Sequence, residues 1–287
     1  MPSPSPAIDP PQRGRGEIRR ARPLLGTLVE IGTASELGAD RVQRAIERAF
    51  QAVARIQALM SRHDPDSELS RLNRTAAQAP QRVDPHTAAV LGAALRFARL
   101  SHGAFDPTIA IGATAATAAA GPCWRDVELD ADLRVRYRRP LHLDFGGIAK
   151  GYAVDQAARS LLDDGIRDFI VNAGGDLRVG GERTVWLRDP VHLGAGHCGL
   201  RLRNQALATS AAYFSPGAGG GNAAAHLVDP VSRLPYRGTT SCSVLADDCL
   251  RADALTKIVL FAPPAIAERV LGRERARAIV LDPSLAA

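Results

Sequence analysis

Residues 143–152 read Leu-Asp-Phe-Gly-Gly-Ile-Ala-Lys-Gly-Tyr, which combines the end of a strand, a glycine turn and the start of a helix. The glycines Gly146 and Gly147 allow backbone N–H groups to approach a phosphate closely, and the helix N-terminus favours an anion there. Lys150 lies in the first helical turn, where a cation is unfavourable unless an anion or a carboxylate is near. The stretch therefore predicts a phosphate site. An ordinary strand–helix turn with a solvated lysine is the alternative.

Lysine is almost absent from this chain. Among the 36 basic residues only Lys150 and Lys257 are lysines, and all the others are arginine. An ammonium is a compact point charge, whereas a guanidinium is a wide planar fork. Two sites that accept only the compact charge would explain this pattern, and chance survival of two lysines is the alternative.

The second lysine lies in a predicted helix, residues 249–261, that is mostly apolar. Asp253 and Lys257 are four residues apart and therefore share one face of this helix. Asp253 and Thr256 carry hard oxygen donors of the kind that suits Mg²⁺ bridging to phosphate. An exposed ion pair is the alternative, although a mostly apolar helix has only a narrow exposed face.

Two further segments carry candidate site residues. His226 follows a glycine-rich loop and is a candidate general base, although a single histidine more often has a structural role. Ala104, Phe105 and Asp106 follow a helix and belong to a loop that could present backbone groups to a planar ring. Any other turn would have the same appearance in the sequence.

The pattern of the whole chain indicates an α+β protein, because strands and helices mix without regular βαβ alternation. The predicted helices are residues 40–63, 86–101, 150–162, 249–261 and 265–274. The predicted strands are residues 24–31, 127–137, 141–144, 168–172, 184–187, 200–202, 206–209, 241–246 and 278–281.

Composition limits the domain organisation and the classes of partner. The 287 residues are 46% hydrophobic, which suffices for a sizeable core, and the formal charge is +6. Much of the excess charge lies near the start, so residues 1–20 are predicted to be a disordered basic tail and residues 21–287 a single domain. Few aromatic residues interleave with these arginines, which disfavours a nucleic-acid partner.

The cysteines and the apolar segments bear on metal sites, disulfides and membrane segments. The four cysteines show no CxxC spacing, which disfavours a structural zinc site and a disulfide framework. No segment has the pattern of a signal peptide, a lipoprotein leader or a membrane span. We therefore expect a cytoplasmic protein without a membrane span.

Several short motifs in a fixed order resemble the ApbE family, the FAD:protein FMN transferases. Together they extend from residue 22 to residue 260, which is most of the chain. They lie at residues 22–27, 60–73, 103–108, 144–152, 172–176, 208–210, 226–230 and 252–257.

The resemblance implies an ApbE-like fold, in which mixed sheets pack with helices and a flavin dinucleotide binds in a cleft between two halves. It also implies transfer of FMN from FAD to a threonine of an acceptor protein, with release of AMP and with Mg²⁺. The implied catalytic residues are His226 and Asp253, and the implied metal ligands are Gly147, Asp253 and Thr256. The implied FAD contacts are Leu25, His63, Ala104, Phe105, Asp106, Asp144, Lys150, Thr209, Ser210, Val228 and Lys257.

The chain departs from the family pattern around the flavin. Leu25 stands where the family usually has Met and His63 where it usually has Tyr, the two residues that normally sandwich the flavin ring. Ala211-Ala212 replaces the usual Gly-Asp, and Ser232-Arg233 replaces the usual Thr-Gly.

The largest departure is Lys257, which stands where the family usually has a metal-ligating threonine. A protonated amine has no lone pair and cannot bind Mg²⁺. We hypothesise that Lys257 contacts the FAD diphosphate or weakens Mg²⁺ binding.

The retained motifs and the substitutions leave three functions open. The first is a working flavin transferase, favoured by His226, Asp253, Lys150 and the glycine turn. The second is a FAD-binding accessory or maturation protein with lost or weak transfer, favoured by the substitutions. The third is an interaction protein without a nucleotide site, which a yellow purified protein would exclude.

Overall fold

The computed structural model describes residues 17–109, 123–188, 196–211, 227–230, 233, 235, 236 and 238–282. These ranges contain twelve strands and six helices. In chain order they are β1 (Ile18–Leu24), β2 (Thr27–Ala34), α1 (Ala39–Met60), α2 (Glu68–Thr75), β3 (Gln81–Arg82), α3 (Pro85–Leu100), β4 (Val127–Leu129), β5 (Arg134–Tyr137), α4 (Ala149–Asp163), β6 (Asp168–Ala173), β7 (Asp176–Gly180), β8 (Glu182–Arg188), β9 (Gly196–Arg203), β10 (Ala206–Ala211), β11 (Ser241–Ala246), α5 (Cys249–Phe261), α6 (Pro264–Glu274) and β12 (Arg277–Leu281).

A seven-stranded sheet forms the centre of the fold, in the order β1-β2-β6-β7-β10-β11-β12. Every neighbouring pair in it is antiparallel. Two smaller sheets, β3-β5-β4 and β8-β9, accompany it. Helices and largely antiparallel sheets segregate in this way in α+β proteins, so the predicted class is confirmed.

The helices pack in a row, α1 against α4 and α4 against α5, and α5 lies on β10 and β11. The apolar positions of α1 recur with the helical period and are fully or nearly fully buried. One continuous core joins these helices to the inner face of the sheet. This packing places the first turn of α4, which contains Lys150, beside α5.

Gly151 sets the distance between α4 and α5. A Cβ atom at this position would lie 2.2 Å from the carbonyl oxygen of Cys249 and 2.9 Å from Cβ of Asp253. Asp155, one turn further along α4, accepts hydrogen bonds from the backbone N–H groups of Cys249 (3.0 Å) and Leu250 (2.9 Å). It therefore caps α5 from a neighbouring helix, since these donors have no partner within α5.

The structure differs from the predicted elements in several segments. Residues 141–144 are not a strand, because the backbone groups of Leu143 bond to a side chain instead, as described below. The predicted strand at 127–137 is a hairpin of β4 and β5 around a turn at Asp130. The sequence reading also missed β7, which returns antiparallel to β6 after a turn at Gly174 and Gly175, both with positive φ.

The predicted tail boundary at residue 20 is wrong. β1 begins at Ile18 and pairs with β2 along its whole length, so its backbone is ordered while its arginines remain largely exposed. Glu17 anchors this start, because its carboxylate pairs with Arg183 at 2.7 Å and with Arg19 at 3.1 Å. Residues 1–16 lie outside the described ranges. No helix within those ranges is long and apolar enough to cross a membrane.

We predict that Gly151→Ala destabilises the protein by about 1–3 kcal/mol, because α4 and α5 must separate to admit the methyl group. Gly272→Ala in α6 is the matched control. A Cβ there meets no atom within 4 Å, and the helix gains up to about 1 kcal/mol. Urea denaturation measures both, and equal stability of Gly151→Ala and wild type would contradict the close packing.

Candidate functional site

The side chain of Asn73 in α2 holds the segment that precedes the glycine turn. Its Oδ1 accepts a hydrogen bond from the backbone N–H of Leu143 at 2.8 Å, and its Nδ2 donates to the carbonyl of Leu143 at 3.0 Å. The hydroxyl of Tyr137 donates to the same Oδ1 at 3.2 Å. One side chain thus satisfies the backbone groups that a neighbouring strand would otherwise satisfy.

Asp144 shapes the turn itself. Its backbone N–H donates to the carbonyl of Pro107 at 2.8 Å, and its Oδ1 accepts from the backbone N–H of Gly146 at 2.8 Å. Its Oδ2 lies 3.4 Å from Nε of Arg62. The predicted FAD contact Asp144 is therefore also a structural group that connects the turn to the end of α1.

The loop at Ala104, Phe105 and Asp106 lies against this turn. The backbone N–H of Phe105 donates to Oγ of Ser101 at 3.0 Å, and its ring packs edge-on against Phe97. Asp106 Oδ1 accepts from the backbone and the hydroxyl of Thr108 at 2.8 and 2.7 Å. Burial raises the pKa of Asp106 above its ordinary value.

Gly147 brings three predicted site residues together. A Cβ atom at Gly147 would lie 3.3 Å from Cε2 of Phe105 and 3.5 Å from Cε of Lys257. The glycine turn and α5 are therefore in contact, and the predicted flavin loop adjoins both. This juxtaposition is what a phosphate site shared by the turn and α5 requires.

Both lysines of the chain form ion pairs with buried aspartates. Lys150 Nζ donates to Oδ2 of Asp176, the first residue of β7, and Lys257 Nζ donates to Oδ1 of Asp253. Lys257 also donates to the backbone carbonyl of Asp253 at 3.0 Å. The other oxygen of Asp253 accepts from the backbone N–H of Gly151 at 3.1 Å. We call Lys150, Asp176, Asp253 and Lys257 the ionic network.

The members of the ionic network influence one another's pKa values. Burial alone would lower the pKa of Lys150, but the carboxylates of Asp176 and Asp253 raise it above its ordinary value. Burial would raise the pKa of Asp253, but Lys257 and then Lys150 hold it below its usual range. Burial and the charge of Asp253 raise the pKa of Asp176. The two ammonium groups therefore favour the ionised form of Asp253.

Hydroxyl groups line the side of α5 that faces β10. Oγ of Ser210 and Oγ1 of Thr256 are 2.7 Å apart, and Thr256 also donates to the carbonyl of Asp253 at 2.7 Å. On the opposite face of the sheet from Ser210, Thr209 pairs with Ser243 of β11 at 2.8 Å. Thr256 has no exposed surface, so its hydroxyl serves the contact between helix and sheet.

The remaining predicted residues lie in other segments or outside the described ranges. Leu25 has a positive φ in the β1–β2 turn, and its backbone N–H donates to Gln57 of α1. His63 is exposed just after α1 ends. Val228 bridges to Pro235, and His226 lies outside the described ranges. A pocket between α1 and α4, lined by residues such as Arg48 and Arg159, contains none of the predicted site residues.

The described residues do not fit a divalent cation at the predicted metal site. Both oxygens of Asp253 have donors, one of them the Lys257 ammonium, and the Thr256 hydroxyl bonds to Ser210 and to its own helix. No cluster of three His, Cys, Asp or Glu side chains suited to a metal occurs in the described part of the chain. Of the three predicted ligands only Asp253 carries a charge, and the Lys257 ammonium beside it repels a second cation.

The model of the ApbE family matches residues 25–280 of this chain. This chain belongs to the ApbE family. It is 28% identical to the FAD:protein FMN transferase of Treponema pallidum, over 94% of this chain and 83% of that relative. It is 31% identical to the FAD:protein FMN transferase of Rhodobacter capsulatus, over 90% of this chain but only 54% of that longer relative.

A solved structure supports the ApbE fold independently. The ApbE protein of Thermotoga maritima superposes with a TM-score of 0.79 at 24% identity, covering 94% of this chain and 98% of that chain. At this identity the likeness establishes the fold alone. The roles of the predicted site residues, and the cleft between two halves, remain predictions.

Four residues that shape the candidate site of this chain are not predicted from the sequence. The motif at residues 172–176 contains Asp176 but predicts no role for it, although its position after two glycines marks a turn with an acidic residue at its end. Arg62, Asn73 and Asp155 act on groups far away in the sequence. No local pattern identifies such partners.

We predict that Asn73→Ala loosens the segment before the glycine turn, because the backbone groups of the buried residue Leu143 lose their partners. Each unpaired buried group costs about 1–3 kcal/mol. Hydrogen exchange at residues 143–147 should accelerate, and urea denaturation should show lower stability. Asn73→Asp keeps the acceptor for the N–H of Leu143 but sets a carboxylate oxygen against the Leu143 carbonyl, so exchange should accelerate in this variant too. Unchanged exchange in Asn73→Ala would show that other contacts hold the segment.

Proposed function

We propose that this ApbE protein transfers FMN from FAD to an acceptor protein and releases AMP. The observation that carries the proposal is the meeting of the glycine turn, the Lys150 helix start and Lys257 at one place. Ammonium groups and the N–H groups of a helix start are the donors that bind a diphosphate, and the two lysines, the glycine turn and the start of α4 meet at this junction. The printed names of the relatives in Treponema and Rhodobacter describe the same transfer.

The reaction exchanges one phosphorus–oxygen bond for another. The acceptor hydroxyl oxygen, which we propose belongs to a threonine, bonds to the phosphorus of the FMN half. The bond from that phosphorus to the bridging oxygen breaks, and AMP leaves with the electron pair. The hydroxyl proton passes to a base. Such transfers depend mostly on positioning and on neutralising charge, which are the tasks of Lys150 and Lys257.

The proton acceptor is better assigned to His226 than to Asp253. Lys257 and Lys150 hold the pKa of Asp253 below its usual range, and both of its oxygens already accept hydrogen bonds. A carboxylate so stabilised is a weak base. Asp253 then positions Lys257, and His226 remains the candidate base from the sequence.

Mg²⁺ has no place in this proposal, because the described donors at the predicted metal site do not fit it. The same misfit favours a second function, a FAD-binding accessory protein with lost or weak transfer. The predicted cytoplasmic location remains a prediction.

One experiment separates the two functions. The protein is mixed with FAD and a threonine-bearing peptide from an acceptor protein, with and without Mg²⁺, beside a peptide in which alanine replaces the threonine. Covalent flavin on the threonine peptide alone, with an equal amount of AMP, supports transfer. FAD binding without covalent flavin in either condition supports the accessory function and contradicts transfer.

We predict that His226→Ala lowers the transfer rate by about 10²–10⁴-fold, the usual contribution of a general base. Its FAD affinity should stay within about twofold of wild type, because the phosphate contacts are intact. Arg201→Met is the control, since Arg201 pairs with Glu182 on the separate β8-β9 sheet. A His226→Ala variant that transfers at the wild-type rate would require another base.

A further inference from the structure

The carboxylate that a metal would need is already fully engaged. The side chain of Asp253 has no exposed surface. One of its oxygens accepts from the Lys257 ammonium and the other from the backbone N–H of Gly151. A cation that entered would have to displace an ammonium fixed on the same helix, four residues away.

The second carboxylate near this point is engaged as well. Asp176 is 1% exposed and pairs with Lys150, whose own pKa also responds to the charge of Asp253. The ionic network thus contains two carboxylates and two ammonium groups, so its formal charge is zero. No negative charge is left over to attract a divalent ion.

The position of Lys257 suits contact with an anion. Its side chain passes Gly147, where a Cβ would lie 3.5 Å from Cε and 3.8 Å from Cδ of the lysine. The side chain is only 13% exposed, so its ammonium is held in place and partly shielded from water. A charge placed in this way needs little reorganisation when a phosphate arrives. Its three N–H donors exceed what Asp253 alone requires.

We propose that the Lys257 ammonium is the resident cation of the dinucleotide site, so that FAD binds to this protein without any divalent metal. This inference rests on the proposed function, because it assumes that FAD occupies the junction of the glycine turn and α5. It adds that the chain itself provides the positive charge that a metal ion would otherwise supply. The lysine keeps its two bonds to Asp253 and directs its third donor to the diphosphate.

The test compares FAD dissociation constants from quenching of flavin fluorescence, measured in EDTA and in millimolar Mg²⁺. We expect the wild-type value to differ by less than about twofold between the two conditions. Lys257→Thr should bind FAD about tenfold more weakly in EDTA, the usual effect of losing a charge-assisted hydrogen bond. Added Mg²⁺ should restore its binding, because Asp253 then lacks its ammonium.

Two further variants keep the test decisive. Lys257→Met should bind weakly in EDTA, and urea denaturation shows whether the unpaired Asp253 has unfolded it. The double variant Asp253→Asn with Lys257→Met removes both charges, and it should bind weakly in both conditions. Arg201→Met, which removes one positive charge far from the site, should bind FAD like wild type in both conditions.

The outcomes separate this inference from the proposed function. If the wild-type protein binds FAD only when Mg²⁺ is present, the inference is overturned, while the proposed transfer reaction still stands. Lys257→Thr that binds FAD in EDTA as tightly as wild type also overturns it. Metal-independent binding without covalent flavin on the acceptor peptide contradicts transfer and supports the inference. Wild type that binds no FAD in either condition overturns both.

Discussion

The ionic network of Lys150, Asp176, Asp253 and Lys257 is the constraint on which the site depends. Buried charges are costly unless each has an opposite charge and hydrogen bonds. Here each ammonium pairs with an aspartate, and Gly151 donates the remaining bond to Asp253. The network therefore joins the start of α4, the start of β7 and the middle of α5. Separating α4 from β7 would leave the buried Asp176 without its partner.

Much of this arrangement could be predicted from the sequence, because it follows from local patterns. The period of apolar residues gave α1, α4, α5 and α6 within a few residues of their observed ends. The glycine pair and the scarcity of lysine both indicated the place where the turn meets α5. The ordered motifs indicated the ApbE family, which the match over residues 25–280 confirms.

The parts that could not be predicted are contacts between residues far apart in the sequence. Asn73 replaces a strand partner for Leu143, seventy residues away, so an apolar segment that looks like a strand has no sheet neighbour. Asp155 caps a helix 94 residues further along the chain. Asp176 joins the site only because β7 folds back on β6. Such pairings depend on tertiary structure, and a single sequence contains no signal for them.

The scarcity of lysine permits a direct measurement of the central claim. Lysine labelled with ¹³C at Cε should give two side-chain NMR signals, one each from Lys150 and Lys257. Titration with FAD in EDTA should shift both signals with one dissociation constant, because both ammonium groups flank the diphosphate. If FAD binds while either signal stays in place, or if the Lys257 signal shifts only after Mg²⁺ is added, the account of the site is contradicted.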